Sequence, residues 1–236
     1  MWIDSDRYKH PEILKEFASR LQADLADMRA QGHDPIKTAC QILKFDYPEL
    51  YPELQYASNS PEYHHPEAWE DKPNPKESWY GEAIYLDGKI AERWSEHWKR
   101  SSEFVTQIPG ILQTMVNFIK PYGKLPVHDD RGGWERIDRW TGKRQRGFTV
   151  SIGLDVPSSD PEVCGLTFDG EARGQKNGEW IIFEGRNCVH SLWNNSNQWR
   201  VAAVVDIQAS EFNLLGYSER LTAIWDKEDQ EHPYVL

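Results

Sequence analysis

The chain has 236 residues, with 27 Lys plus Arg against 38 Asp plus Glu, and eleven of its residues are tryptophan. A chain this aromatic folds rather than staying disordered, and at this length a core needs no disulfide or structural metal to hold it. The formal charge of −11 excludes general binding to nucleic acid or an anionic membrane, because both need clustered positive charge.

The three cysteines, Cys40, Cys164 and Cys188, have no C-x-x-C spacing. That argues against a disulfide framework and against a zinc-cysteine site. The first residues, MWIDSDRYKHPE, show neither an apolar run nor a basic leader, and no stretch approaches ~18 apolar residues. The expectation is a cytoplasmic protein with no membrane and no nucleic-acid partner.

In chain order, residues 11–31 read as an amphipathic helix. Pro11 suits its first turn, and Leu14, Phe17, Leu21, Leu25 and Met28 recur at three- and four-residue spacing. A shorter helix is expected over Ile36–Leu43. Residues 45–78, rich in Pro, Tyr, Glu and Ser, show neither period and read as irregular. WYGEAIYL, from Trp79, predicts a strand ending near Asp87-Gly88. Ile90, Trp94 and Trp98 at four-residue spacing predict a helix over Ile90–Phe104. Pro109 is expected to open another, carrying Ile111, Leu112, Met115, Val116 and Ile119. After Gly123, the segments KLPVHDD, GFTVSIGLDV, CGLTFDG, EWIIFEG and WRVAAVVDI read as short strands. The expected organisation is a helical and irregular extension (1–78), a mainly β barrel or sandwich core (79–210) and a C-terminal covering segment (211–236).

Two histidines stand out. His128 and Asp130 are two apart on a predicted strand and so point to one side. His190 follows the predicted strand near 180–185. Two imidazoles and a carboxylate could form a facial triad that leaves open positions on non-haem iron. Ten residues after His190, Arg200 begins a strand in which Arg200, Ala202, Val204 and Asp206 share one face. There the guanidinium either meets an anion bidentately, snorkels at the rim, or pairs with Asp206 or Glu211.

Together, His128-x-Asp130, Gly153-Leu154-Asp155-Val156-Pro157, Gly178-Glu179, Phe183, His190-Ser-Leu-Trp193-Asn194 and Arg200…Val205-Asp206-Ile207 resemble the aspartyl/asparaginyl β-hydroxylase family of Fe(II)- and 2-oxoglutarate-dependent oxygenases. The resemblance covers roughly residues 79–208. It implies a double-stranded β-helix, the jelly-roll or cupin-like barrel, here with flanking helices. It implies Fe(II) held by His128, Asp130 and His190, and 2-oxoglutarate anchored by Arg200. It further implies hydroxylation with O2, releasing succinate and CO2, with ascorbate in support. Asp130 makes the chain more similar to free-standing members acting on free amino acids than to membrane-anchored members, which lack this carboxylate. The expected substrate is a small anionic or amino-acid-like molecule or a natural product. The alternatives are a residue within a peptide or protein, or a cupin-like binder without catalysis.

Two departures from the family pattern matter. Many members carry R-x-H where this chain has Thr149 and Ser151; hydroxyls there can hydrogen-bond a cosubstrate carboxylate but cannot neutralise it. The second departure is the insertion Arg131–Arg146, RGGWERIDRWTGKRQR, with six basic residues against Glu135 and Asp138. It begins one residue after Asp130. Arg131, Trp134, Arg136 and Trp140 are therefore candidate substrate contacts at the mouth of the site, the alternative being a solvated hairpin. Asn194 and Trp193 are expected to shape the turn after His190 and support it.

Overall fold

In the computed structural model, the described residues are 1–32, 79–86, 88–92, 95–128, 146–168, 170–185 and 188–231. The predicted helix over Ile36–Leu43, the irregular segment 45–78, Asp130 and nearly all of the basic insertion lie outside them.

Eleven strands are named in chain order: β1 (Trp2–Ile3), β2 (Trp79–Leu86), β3 (Lys89–Ile90), β4 (Ile111–Ile119), β5 (Lys124–His128), β6 (Gly147–Asp155), β7 (Cys164–Phe168), β8 (Glu171–Arg173), β9 (Trp180–Phe183), β10 (His190–Asn194) and β11 (Arg200–Gln208). They form two sheets. The larger runs β1-β9-β6-β11-β4-β2-β3 and the smaller β5-β10-β7-β8. The pairings between these strands are antiparallel. Phe168 of the small sheet lies 5.3 Å from Phe183 of the large one, ring to ring, so the sheets face each other. Chain-distant strands meet in both sheets, and β10 passes to β11 by crossing from the small sheet to the large. This is a double-stranded β-helix, mainly β, with flanking helices.

The large sheet is apolar outward because its strands alternate. Val201, Ala203, Val205 and Ile207 of β11 align in register with Phe118 and Val116 of β4 and with Ile152, Val150 and Phe148 of β6. All are buried. Helix α1 (Pro11–Ala30) covers this face with Leu14, Phe17, Leu21, Leu25 and Met28. Helix α2 (Lys99–Phe104) packs beside α1, with Phe17 and Phe104 stacked at 6.4 Å. Buried Asp24 of α1 accepts hydrogen bonds from the backbone N–H and hydroxyl of Ser101, at 2.9 and 2.7 Å, and so satisfies donors at the start of α2. Helix α3 (Ser218–Glu231) closes one end, burying Leu221 and bringing Trp225 to Phe148.

The helix expected from Pro109 is instead β4. Ile111, Leu112, Met115, Val116 and Ile119 happen to fit a helical period. However, β4 is an inner strand between β11 and β2, and a strand buried on both faces reads as a near-continuous apolar run. The helix expected over Ile90–Phe104 is also corrected. Gly88, at φ 78, turns the chain back so that Lys89 and Ile90 pair with β2, and helix begins only at Lys99. Trp98 precedes that helix, and its indole donates to the buried carboxylate of Glu82 at 2.7 Å.

The connection from β10 to β11 is held by Asn194, which is fully buried. Its amide donates to the carbonyls of Ile119, Lys120 and Gln198 at 3.2, 3.0 and 2.7 Å, and its oxygen accepts from the Ser196 hydroxyl at 2.7 Å. The Trp193 indole donates to the Pro161 carbonyl at 2.8 Å. Opposite it in register, Gly165 must be glycine, because a Cβ there would fall 2.2 Å from the Trp193 ring.

Asn194→Ala orphans these buried carbonyls and is expected to cost roughly 2–4 kcal/mol in urea denaturation. Leu21→Ala, cut from the centre of the α1 contact, should cost about 2–5 kcal/mol with an unchanged m-value.

Candidate functional site

The site begins with the pairing of β5 and β10. His128 and His190 stand directly opposite each other, and the next pair is Leu125 with Leu192. β5 therefore carries one residue more than β10 between these pairs. Such a bulge re-aims a side chain, and proline, having no N–H to lose, is tolerated there. Pro126 lies in that stretch. The imidazole centroids are 4.2 Å apart with planes at 51°. His190 is buried between Phe183 and Phe168, at 5.5 and 6.3 Å. Its Nδ1 lies 3.2 Å from the Cys188 carbonyl. A carbonyl only accepts, so Nδ1 carries the hydrogen and the lone pair of the neutral ring sits on Nε2. Two imidazoles on facing positions suit a divalent cation of borderline softness. Among the described residues no three metal-ligating side chains converge; Asp130 is outside that set.

In the large sheet, Arg200 opens β11 opposite Ile119 of β4 and is only 1% exposed. It snorkels to no surface. Its Nη2 donates to Gln175 Oε1 at 3.2 Å, whereas Nε and Nη1 are buried with no partner. It pairs with neither Asp206 nor Glu211. Asp206 accepts from Thr149 and Gln113, and Glu211 faces His10 at 3.4 Å. Burial without a counter-charge pushes the Arg200 guanidinium down to about 10. The nearby Cys164 thiol is pushed up by its own burial. A buried charge with two orphaned N–H groups is costly, and a carboxylate is the group that would satisfy them bidentately.

Gln175 was not among the sequence-based candidates. It lies in a polar loop with no period to mark it. Its Nε2 donates to the Ser151 carbonyl at 2.6 Å and its Oε1 accepts from the Ser151 hydroxyl at 3.4 Å, so it joins Ser151 to Arg200. Thr149 is placed otherwise. It sits beside Asp206 in register and gives that carboxylate its hydroxyl hydrogen at 2.8 Å. Cys188 is half-buried and packs against the core. Arg131, Trp134, Arg136 and Trp140 lie outside the described residues.

Trp2 also went unread in the sequence. Through β1 it joins the row Thr149–Phe183–Trp2 across β6, β9 and β1. Its ring meets Phe168 at 5.5 Å and Phe183 at 5.8 Å, under the Arg173 guanidinium at 4.4 Å. It closes the edge where the two sheets part.

Among solved structures, the chain is similar to a viral collagen prolyl hydroxylase from Paramecium Bursaria Chlorella virus-1, solved as a 2OG complex. Identity is 17%, over 56% of this chain and 80% of that one, with a TM-score of 0.36. It is similar to a Pseudomonas putida prolyl-4-hydroxylase at 12% identity, over 56% and 70% of the two chains, with a TM-score of 0.33. It also resembles the cupin domain of a transcriptional regulator from Enterobacter cloacae at 9% identity, over 55% and 95%, with a TM-score of 0.33. No curated protein matches the sequence. Among the described residues no helix is long and apolar enough to cross a membrane. A model of the family described as aspartyl/asparaginyl beta-hydroxylase matches residues 44–210, which takes in β2 to β11, both histidines and Arg200, and the chain belongs to that family.

Proposed function

We propose that the chain is an Fe(II)- and 2-oxoglutarate-dependent dioxygenase that hydroxylates a small amino-acid-like or natural-product substrate in the cytoplasm. One observation carries the reading. A buried guanidinium with two unpartnered N–H groups opens the strand that faces a cross-strand pair of imidazoles. A structural arginine would have a carboxylate beside it, and Arg200 has an amide oxygen only.

His128 and His190, with Asp130 two residues on, would hold the iron. The metal and its cosubstrate supply oxygen activation, with succinate and CO2 as the by-products. The protein's own residues do the rest. The Cys188 carbonyl fixes the His190 tautomer, and a second contact of that kind typically tunes a metal site. Phe168 and Phe183 keep one side of His190 dry. Arg200 would anchor the distal carboxylate of 2-oxoglutarate, with Ser151 beside it through Gln175. The Thr149 hydroxyl lies further along the same face. The basic insertion, with Arg131, Trp134, Arg136 and Trp140, would draw the carboxylate end of an amino-acid-like substrate toward the mouth.

Anaerobic addition of Fe(II) and 2-oxoglutarate should produce the weak metal-to-ligand visible band, and oxygen with ascorbate should then yield succinate. His128→Ala and His190→Ala should lose the band. Failure of the wild type to chelate would sink the reading, and chelation without turnover across a substrate panel would favour a non-catalytic binder. Arg200→Met separates binding from stability. It should weaken 2-oxoglutarate by roughly a hundredfold by calorimetry, since it removes a charge-assisted bidentate contact. The same change should raise the melting temperature of the ligand-free protein, because it removes an uncompensated buried charge. Neutralising Arg131 and Arg136 together should raise KM for substrate and leave that for 2-oxoglutarate unchanged.

A further inference from the structure

Gln175 lies in the connection from β8 to β9 and is only 4% exposed. That connection is seated directly on β6. The Gly153 N–H donates to the Glu179 carbonyl at 3.0 Å, and the Gly153 carbonyl accepts from the Gly178 N–H at 2.8 Å. Glycine at 153 makes the seat possible, because a Cβ there would fall 2.4 Å from the Lys176 carbonyl oxygen. A second tie comes from Asn177, whose side-chain oxygen accepts from the Val156 N–H at 2.6 Å. Gly153 and Ser151 pair with Ala202 and Val204 of β11. Paired residues share a face, so the connection covers β6 on the side that carries Arg200.

The Gln175 amide is used in full. Its nitrogen donates to the carbonyls of Ser151 at 2.6 Å and Glu179 at 3.4 Å. A carbonyl can only accept, so these contacts fix which end of the amide is nitrogen. The oxygen is therefore turned to Arg200 Nη2 at 3.2 Å and to the Ser151 hydroxyl at 3.4 Å. An ionised glutamate has no hydrogen to give and could not make the two contacts to carbonyls. The position thus requires an amide, and the amide gives Arg200 a dipole rather than a charge. Arg200 Nε and Nη1 stay buried without partners.

We infer that Gln175 is a positioning residue for the distal carboxylate of the cosubstrate. It holds the Arg200 guanidinium in one orientation by Nη2 and leaves the charge, with Nε and Nη1, to the incoming anion. A carboxylate in place of the amide would aim the guanidinium equally well. It would also neutralise it and compete with the ligand for the same donors. With a thioether in that place the guanidinium would keep its charge and lose its aim, and binding would have to supply the ordering. Ser151 acts one step further back, because its hydroxyl hydrogen goes to Gln175. The inference rests on the oxygenase reading only in taking 2-oxoglutarate as the anion.

The test is a binding cycle on the full chain, measured anaerobically by calorimetry on protein loaded with Fe(II). Two ligands are compared: 2-oxoglutarate, and 2-oxopentanoate, which has a methyl group in place of the distal carboxylate. Gln175→Glu should weaken 2-oxoglutarate at least ~30-fold and Gln175→Met ~10-fold, while 2-oxopentanoate changes less than ~3-fold in both, because only the distal carboxylate meets Arg200. In the Arg200→Met background neither substitution should weaken 2-oxoglutarate further, since a residue acting through another is not additive with it. The neutral variant decides the matter if the charged one does not fold. Equal weakening of both ligands would mark a merely structural residue and overturn the inference. Full additivity with Arg200→Met, or 2-oxoglutarate affinity unchanged at 175, would overturn it too. Thermal stabilisation of the metal-free protein by glutarate separates the inference from the oxygenase reading. If the visible band forms and both Gln175 variants bind like the wild type, the positioning role falls and the oxygenase reading stands. If glutarate stabilises the wild type and not Gln175→Glu, and no band forms with Fe(II), the reverse holds.

Discussion

Strand β11 serves two environments at once, and most of the molecule follows from that. Its even and odd positions point to opposite faces because the side-chain period of a strand is two. Val201, Ala203, Val205 and Ile207 must be removed from water, and α1 does this by laying Leu14, Phe17, Leu21, Leu25 and Met28 over them and their neighbours. Arg200 and Asp206 leave on the other side. That side of β11 is uncharged only in its middle, at Ala202 and Val204. A slip of one residue in the pairing of β11 would bury both charges under α1 and turn four aliphatic side chains to the opposite face.

The cost of that arrangement is concentrated at Arg200. An arginine with no carboxylate beside it is held by the surrounding structure against its own desolvation, as its lowered affinity for a proton reflects. The Asn194 turn is one part of that hold. It ties the carbonyls of Ile119, Lys120 and Gln198 to the turn from which Arg200 emerges. Stability is thus spent to keep a binding group preorganised, which is the usual relation between a site and its scaffold.

Much of the barrel was legible. β2, β5, β6, β7, β9 and β11 show short apolar runs bounded by Gly, Asn, Pro and Ser, and α1 shows the helical period beneath a proline at its start. The departures from the expected elements have local causes. β4 is buried on both faces, so its apolar residues fill positions without alternation and fit a helix as well as a strand. The two-residue strands β1 and β3 and the three-residue β8 are too short to carry any period. Their pairing is decided by strands elsewhere in the chain.

The candidate site divides the same way. Strand spacing together with the family resemblance marked His128, Asp130, His190 and Arg200 as candidates. The spacing also determined the composition of β11's two faces. Gln175, Gln113 and Trp2 carry no such local mark. Their roles come from register and loop placement: Gln113 and Thr149 flank Asp206 because three strands from distant parts of the chain align there. Whether Arg200 met a carboxylate was likewise undecidable from the chain, since Asp206 and Glu211 were both within reach in sequence. Tertiary structure decided it. Asp206 accepts from Thr149 and Gln113 across the sheet, and Arg200 lies six residues away along an extended strand, roughly 20 Å at the rise of a β-strand.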